Sequence, residues 1–158
     1  MVPSLVLLLA FLIGVVCGLR SLTAPAVVAW AACRGWIDLH YAPLHLLGSW
    51  AAVVIFTVFA FIELIADQLP RAPNRTAPLG LIARIILGAL CGAAIAAAGV
   101  QSVAKGALVG AAGGVAGAFG GFEVRTRLVK ALHVPDYVIA TLEDAVAIGA
   151  GLFIVTRF

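Results

Sequence analysis

Long apolar runs separated by short polar clusters are the main pattern of this sequence. Five runs can be distinguished, over about 4–32, 46–67, 79–100, 104–128 and 136–156. Each run has at least the roughly 20 residues with which an α-helix crosses the hydrocarbon core of a bilayer. Since the loops are short, the pattern predicts an all-α polytopic membrane protein with about five transmembrane helices. We expect them to form a single domain over residues 1–158.

The composition supports this interpretation. Hydrophobic residues make up 64% of the chain and charged residues only 11%, and the mean hydropathy is +1.18. A soluble domain could not cover so much apolar surface with so few charges. The lipid bilayer is therefore the expected partner. The net charge of +3 indicates membrane topology rather than a surface for nucleic acid.

Basic residues in the predicted loops suggest an orientation. If the number of spans is odd, the amino terminus shares one side of the membrane with the loops at 68–78 and 128–135. That side carries Arg71, Arg75, Arg127 and Lys130, and the other side carries Arg34, Lys105 and Arg157. Because loops rich in Lys and Arg stay in the cytoplasm, we expect a multi-pass protein with a cytoplasmic amino terminus and an external carboxy terminus.

The first run is too long for one straight span. As a helix it would extend about 43 Å, well beyond the roughly 30 Å hydrocarbon core. Pro25 removes a backbone donor and clashes with the carbonyl of Ser21, and Gly18 is permissive, so we expect the helix to open between Gly18 and Pro25. Arg20 lies in this opening. The sequence leaves open whether the segment is one kinked span or a re-entrant element.

The fourth run resembles the first in its arrangement. It contains Gly113 and Gly120, and Arg125 follows them as Arg20 follows Gly18. Each of these two runs precedes a run that carries acids, and one further run separates the two pairs. The pairs would then cross in opposite senses, which is the arrangement of an inverted repeat of two-helix units with broken helices. This interpretation predicts a second break between Gly113 and Arg125.

Glycines at a spacing of four residues are a second feature of the fourth run. They include Gly106, Gly110 and Gly114. Small residues at this spacing let helix backbones approach closely. Two uses remain open from the sequence: packing within one chain, or a homodimer formed through the glycine-rich helices.

Acidic side chains within the apolar runs are the candidate ion or proton sites: Glu63, Asp67, Glu143 and Asp144. A carboxylate at membrane depth is costly unless it is paired, protonated or hydrated. On the predicted topology the two acid pairs lie at similar depth, with Arg20 and Arg125 as counter-charges at the helix breaks. Desolvation and mutual repulsion should keep some of these acids from ionising at neutral pH. Such a cluster can carry protons or bind cations.

Two functions from different classes fit these residues. The first is a small transporter or channel-like protein for a cation or a proton-coupled small solute, which uses the buried carboxylates. The second is a non-transporting scaffold or assembly factor in which the buried charges lock the packing of the helices. The feature that separates them is whether removing one acid abolishes transport or only destabilises the fold.

An enzyme is a more distant interpretation. The sequence contains no nucleophile elbow, no phosphate-binding glycine loop and no H-E-x-x-H motif, and no cofactor is expected. An intramembrane hydrolase with Glu63 and Asp67 as metal ligands remains open, because residues four apart on a helix point the same way. The three histidines fall on loops of opposite predicted sides, which disfavours a three-histidine zinc site: His40, His45 and His133.

The most specific motifs are short polar stretches: GLRSLTAP at 18–25, ELIADQLP at 63–70, PNRTAP at 73–78 and LED at 142–144. Together with the Ala- and Gly-rich third and fourth runs, they resemble a family of small bacterial inner-membrane proteins catalogued as a domain of unknown function. The resemblance extends over nearly the whole chain. It implies a polytopic protein of the bacterial inner membrane and supports the four acids as family features. It brings no activity with it, so the functional hypothesis rests on the residues.

Overall fold

The computed structural model describes residues 2–39, 43–67 and 77–158. In these ranges the chain forms six α-helices: α1 Pro3–Leu19, α2 Thr23–Cys33, α3 Trp50–Ala66, α4 Pro78–Ala98, α5 Val103–Leu132 and α6 Asp136–Val155. A 3-10 helix, Leu44–Gly48, precedes α3, and the described residues contain no strand. The predicted all-α class is therefore confirmed. By length and composition, α4, α5 and α6 can each cross a membrane, whereas α1, α2 and α3 are shorter apolar helices.

Local sequence signals account for the ends of several helices. Pro78 occupies the first turn of α4, where its missing N–H costs nothing. Ser49 caps α3 by accepting a hydrogen bond from the backbone N–H of Ala52 at 3.1 Å. His133 ends α5 in the left-handed conformation, with φ of 53°, and Pro135 then prevents the helix from continuing.

Glycine faces form the centre of the bundle, where α1, α4 and α5 pack together. Gly110 of α5 packs on Gly88 of α4, so that an added Cβ at Gly110 would overlap the carbonyl oxygen of Gly88. On its other side, Gly117 of α5 packs on Gly18 of α1. Backbones can approach this closely only where side chains are absent. The four-residue glycine spacing is therefore used for packing within the chain.

The first predicted segment is a helical hairpin rather than one span. Gly14 lies against Gly110 and Gly18 against Gly117, so α1 runs parallel to α5. After only three connecting residues, α6 returns antiparallel to α5. Arg20 contacts Asp144 and Val27 contacts Gly151, so α2 runs parallel to α6 and antiparallel to α1. Of the two alternatives left open for this segment, one kinked span or a re-entrant element, the structure does not show the kinked span, because the chain reverses at Arg20, whose backbone is extended.

This reversal makes the helices alternate in direction and changes the topology. Val6 near the amino terminus packs on Gly99 at the end of α4, whereas Asp67 at the end of α3 reaches Arg20. One end of the bundle contains residues 20–22, the last turn of α3 and the first turn of α4. We call it the polar end. Both chain termini lie at the opposite end. An odd number of spans required the amino terminus and the end of α3 to lie on the same side. In the structure they lie at opposite ends of the bundle.

A second correction concerns α5, which is one continuous helix from Val103 to Leu132. The break predicted between Gly113 and Arg125 is absent, so this run lacks the broken helix on which the inverted-repeat interpretation rested. Glycine costs about 1 kcal/mol per residue relative to alanine in a helix. Here, close packing of Gly113 and Gly117 against α1 offsets that cost, and α5 contains no proline.

Helix α3 lies at the edge of the bundle. Only Val53 and Ala60 are buried in it, and it packs mainly on α2 and the 3-10 helix. Large apolar side chains are exposed along most of its length: Trp50, Val54, Ile55, Val58, Phe59, Phe61, Ile62 and Ile65. A continuous apolar surface of this kind suits contact with lipid. Its carboxy-terminal end nevertheless carries Glu63 and Asp67 into the polar end.

Candidate functional site

The break between α1 and α2 leaves backbone groups that need partners. A helix end leaves unpaired carbonyl groups, and a helix start leaves unpaired N–H groups. Arg84 of α4 donates from Nε to the carbonyl oxygen of Gly18, at 3.1 Å, at the end of α1. Glu63 of α3 accepts from the backbone N–H groups of Ser21 and Leu22, both at 2.9 Å, at the start of α2. Each charge also has the sign that the helix dipole favours.

Arg20 is the most deeply buried charged residue of this site, with 0% of its side chain exposed. Its Nη1 donates to the carboxylate of Asp67 on α3, and its Nε lies 2.5 Å from Oδ1 of Asp144 on α6. A buried guanidinium requires such partners, because an unpaired charge in a low-dielectric interior is very costly. Arg20 therefore joins α3 and α6 at the break.

Four buried polar atoms at the break form no hydrogen bond among the described residues. Two of them, Nε of Arg20 and Oδ1 of Asp144, face each other as an ion pair. The other two are Nη2 of Arg20 and Oγ1 of Thr23, in the first turn of α2. Thr23 is 4% exposed. Polar atoms buried in proteins are nearly always hydrogen-bonded, and exceptions point to a water molecule or a ligand.

A second group of charges lies further along α5. Arg125 donates from Nε to Oδ1 of Asp136, at 2.8 Å, and its Nη1 lies 3.7 Å from Oε2 of Glu143. A groove of about 350 Å³ between α1, α5 and α6 passes this ion pair, and its other lining residues are apolar. The prediction that Arg125 lies at a helix break was wrong, because Arg125 lies within the continuous helix α5.

The structure therefore divides the predicted site into two groups. Asp144 joins Glu63, Asp67 and Arg20 at the break, while Glu143 joins Arg125. Neighbouring residues on a helix project about 100° apart, so Glu143 and Asp144 reach different arginines. Asp67 and Glu143 have further interactions beyond these pairs.

Sequence reasoning missed three residues of these groups: Ser21, Arg84 and Asp136. The signal for Arg84 was present, because this side chain is a cation well inside an apolar run and is only 6% exposed in the structure. The same rule that singled out the acids applies to a cation at membrane depth. Ser21 could be recognised only after Glu63 was placed beside it.

The acids of the break do not form a metal site. Within the described ranges, no group of three or more His, Cys, Asp or Glu side chains is arranged to hold a metal ion. Glu63 caps α2 and Asp67 binds Arg20, so the two carboxylates are not a shared ligand pair of the kind an intramembrane hydrolase would need. His40, one of the three histidines considered for zinc, lies outside the described residues.

Comparison with known proteins gives one match. The family model of a domain of unknown function (DUF4126) matches residues 7–156. The match covers nearly the whole chain and agrees with the resemblance found in the motifs. No curated protein and no solved structure matches the chain.

Proposed function

The chain belongs to the DUF4126 family, and we propose that it is a small membrane transporter for a proton-coupled solute. The observation that carries this proposal is the fully buried Arg20, held between carboxylates of two helices at the reversal of a helical hairpin. Irregular backbone at membrane depth is tolerated only inside protein or beside a water-filled cavity, and transporters place their sites there.

A proton is the coupling ion that suits this geometry. Protonation of Glu63 would weaken its hold on the N-terminus of α2, and protonation of Asp67 would release Nη1 of Arg20. The other charged groups at the break are Arg20, Arg84 and Asp144, and the Arg125 group lies next to them. Glu63 and Asp67 each accept hydrogen bonds from N–H donors, which loss of the carboxylate charge would weaken, and we therefore favour a proton over a coordinated cation.

Helix α3 is the element that such protonation would move. Its only buried residues are Val53 and Ala60, so few apolar contacts hold it in place. Its contacts with the break are made by Glu63 and Asp67, one helical turn apart. Neutralising both acids would release the end of α3 from the hairpin, which is a local charge change acting on a weakly packed element.

A second candidate function is favoured by one observation. Each of the four predicted acids has an arginine or a backbone donor as its partner. Such pairing also describes a non-transporting scaffold, in which the charges hold the helices together. In that case, removal of an acid destabilises the fold and changes no flux.

For the location, we propose the bacterial inner membrane, with the polar end in the cytoplasm. The sequence places Arg71, Arg75, Arg127 and Lys130 on the loops or helix end of that side, and basic loops stay inside. Arg71 and Arg75 lie outside the described residues. Because α1 and α2 form a hairpin, this orientation puts both termini outside, so the amino terminus is reassigned from the cytoplasm.

Proton flux into liposomes tests the transport function. The full chain is reconstituted with an internal pH-sensitive dye, and a pH gradient is imposed in sodium, potassium or succinate medium with the membrane potential clamped. We expect wild-type protein to acidify the interior faster than protein-free liposomes in at least one medium. Glu63→Gln and Asp144→Asn should return the rate to that of protein-free liposomes, because each removes an acid of the break while preserving side-chain size.

Glu123→Gln is the matched control, because Glu123 forms an exposed ion pair with Arg127 on the surface of α5. Exposed pairs of this kind contribute little, so this variant should keep both the flux and the stability of the wild type. If wild-type liposomes are no faster than empty ones in any medium, and the two acid variants are only less stable, the scaffold is supported instead.

A further inference from the structure

We infer that α3 is a gate that closes the side of the break, and that Trp30 of α2 is the positioning residue about which this gate turns. The inference deepens the proposed function and rests on it for the physiological role of the movement. The movement itself is tested separately, in a measurement that needs no transport.

The first half of α3 is attached to α2 by a tryptophan. Nε1 of Trp30 donates to Oγ1 of Thr57 at 3.1 Å, and the rings of Trp30 and Trp50 meet edge to face, with centroids 5.8 Å apart. The guanidinium of Arg34 lies over the Trp30 ring, 5.4 Å from its centroid. Such ring contacts and a hydrogen-bonded indole are favourable interactions. None of these contacts involves a carboxylate, so protonation of an acid does not break this attachment.

The end of α3 is attached to the break by two acids. Glu63 accepts hydrogen bonds from the backbone N–H groups of Ser21 and Leu22, and Asp67 accepts one from Arg20. We call these contacts the latch. Each of them weakens when the carboxylate loses its charge. The two attachments of α3 therefore differ in kind, because only the latch responds to protonation of an acid.

A cavity of about 180 Å³ lies between α2 and α3, between the two attachments. Thr57, Ala60 and Leu64 line it from α3, and their spacing of three and four residues places them on one face of the helix. Thr23 and Trp30 line it from α2. Side chains beside a void lose the packing contacts that a filled interior provides. The second half of α3 is therefore held to α2 mainly by the latch, and it can swing when the latch opens.

Residues outside α3 compensate the charge that an open latch leaves behind. Arg20 keeps Asp144 of α6 as a partner when Asp67 is neutral, so the buried cation is not left alone. The charged and titratable groups around the latch are Cys17, Arg20, Arg84, Arg125, Glu143 and Asp144. None of these six belongs to α3, so the gate can move without carrying them along.

Reactivity of two introduced thiols towards N-ethylmaleimide tests the gate, with the full chain in mild detergent. Thr23→Cys places a reporter beside the break, where the native side chain is 4% exposed. Val53→Cys places a reporter on α3 between Trp50 and Thr57, where the native side chain is 1% exposed. The parent chain carries Cys33→Ala, and mass spectrometry measures the modification at each position.

Neutralisation of the latch, by Glu63→Gln combined with Asp67→Asn, should raise the reactivity of Thr23→Cys by about tenfold or more. The reactivity of Val53→Cys should stay at the level of the parent chain, because the gate turns at this attachment. Cys91 is fully buried and should remain unmodified, which excludes general unfolding as the cause. A rise at both introduced positions would overturn the pivot, and no rise at position 23 would overturn the gate.

Two tryptophan variants locate the pivot in the neutralised chain. Trp30→Phe keeps an aromatic ring but removes the N–H that reaches Thr57, so the reactivity of Val53→Cys should now rise as well. Trp36→Phe alters a tryptophan that is 48% exposed and should leave Val53→Cys unreactive. Equal results from the two variants would refute the role of Trp30.

Failure of the doubly neutralised chain to fold does not remove the test. Glu63→Gln and Asp67→Asn are then examined singly, and each should give a smaller rise at position 23 and none at position 53. No rise in either single variant would contradict the gate. A selective rise at position 23 in a protein without proton flux would support the gate and refute transport, whereas flux without this rise would keep transport and refute the gate.

Discussion

At the scale of single residues, one arginine and one glutamate cap the two helix ends that meet at the break between α1 and α2. Arg84 satisfies a carbonyl at the end of α1, and Glu63 satisfies two N–H groups at the start of α2. In water such groups would be solvated, but in a membrane interior they need partners from the protein. The extended backbone at Arg20 is therefore stable only because distant residues of α3 and α4 reach it.

Replacement of Arg84 tests this account of the cap. Arg84→Met preserves the length of the side chain but removes its charge and its donors. We expect a loss of about 2 kcal/mol in the free energy of unfolding, because the carbonyl of Gly18 loses its buried partner. Denaturation in mild detergent measures this loss. Arg127→Met, at a side chain that is 77% exposed, is the control and should change the stability little; equal losses in both variants would contradict the capping role.

At the scale of helices, α5 shows how packing overrides propensity. Its many glycines weaken an isolated helix, yet the helix is continuous because α1 and α4 press against its backbone from two sides. The same glycines that suggested a break are thus the contact surface of the bundle. Gly120 of α5 and Gly149 of α6, by contrast, have no neighbouring atoms where a side chain would begin.

Alanine at two positions of α5 distinguishes packing glycines from the rest. Gly110→Ala places a methyl group on the carbonyl of Gly88, and overpacking of this kind costs about 1–3 kcal/mol. Gly120→Ala enters open space and should be neutral or stabilise the helix by up to about 1 kcal/mol. Thermal unfolding of the two variants side by side measures the difference. A Gly110→Ala variant as stable as Gly120→Ala would mean that α4 and α5 do not pack as described.

At the scale of the whole molecule, the hairpin decides the topology. The six helices of the described ranges alternate in direction and put both termini at the end opposite to the polar end, whereas five spans would separate the termini. The charge pattern of the loops stays the same in both cases. What changes is the side on which the amino terminus lies.

Reporter fusions test this topology. A periplasmic reporter should be active before Val2 and after Phe158, and silent near Asn74, because the polar end carries the more basic loops. Activity of each fusion in intact cells, normalised to its expression, is the measurement. Reporters at Val2 and Phe158 that give opposite results would restore an odd number of spans and contradict the hairpin.

The sequence by itself determined the membrane class, the approximate extent of most helices, the break near Pro25 and the acids that pair with other helices, because apolar length, proline and buried charge act locally. Tertiary structure alone decided three other features. The direction of the chain after Arg20 depends on contacts with α3 and α6, residues far away in sequence. The continuity of α5 depends on the backbones packed against it. The pairing of Asp144 with Arg20 and of Glu143 with Arg125 depends on which helices pack against α6. The two acids are adjacent in sequence, so they project from different sides of α6.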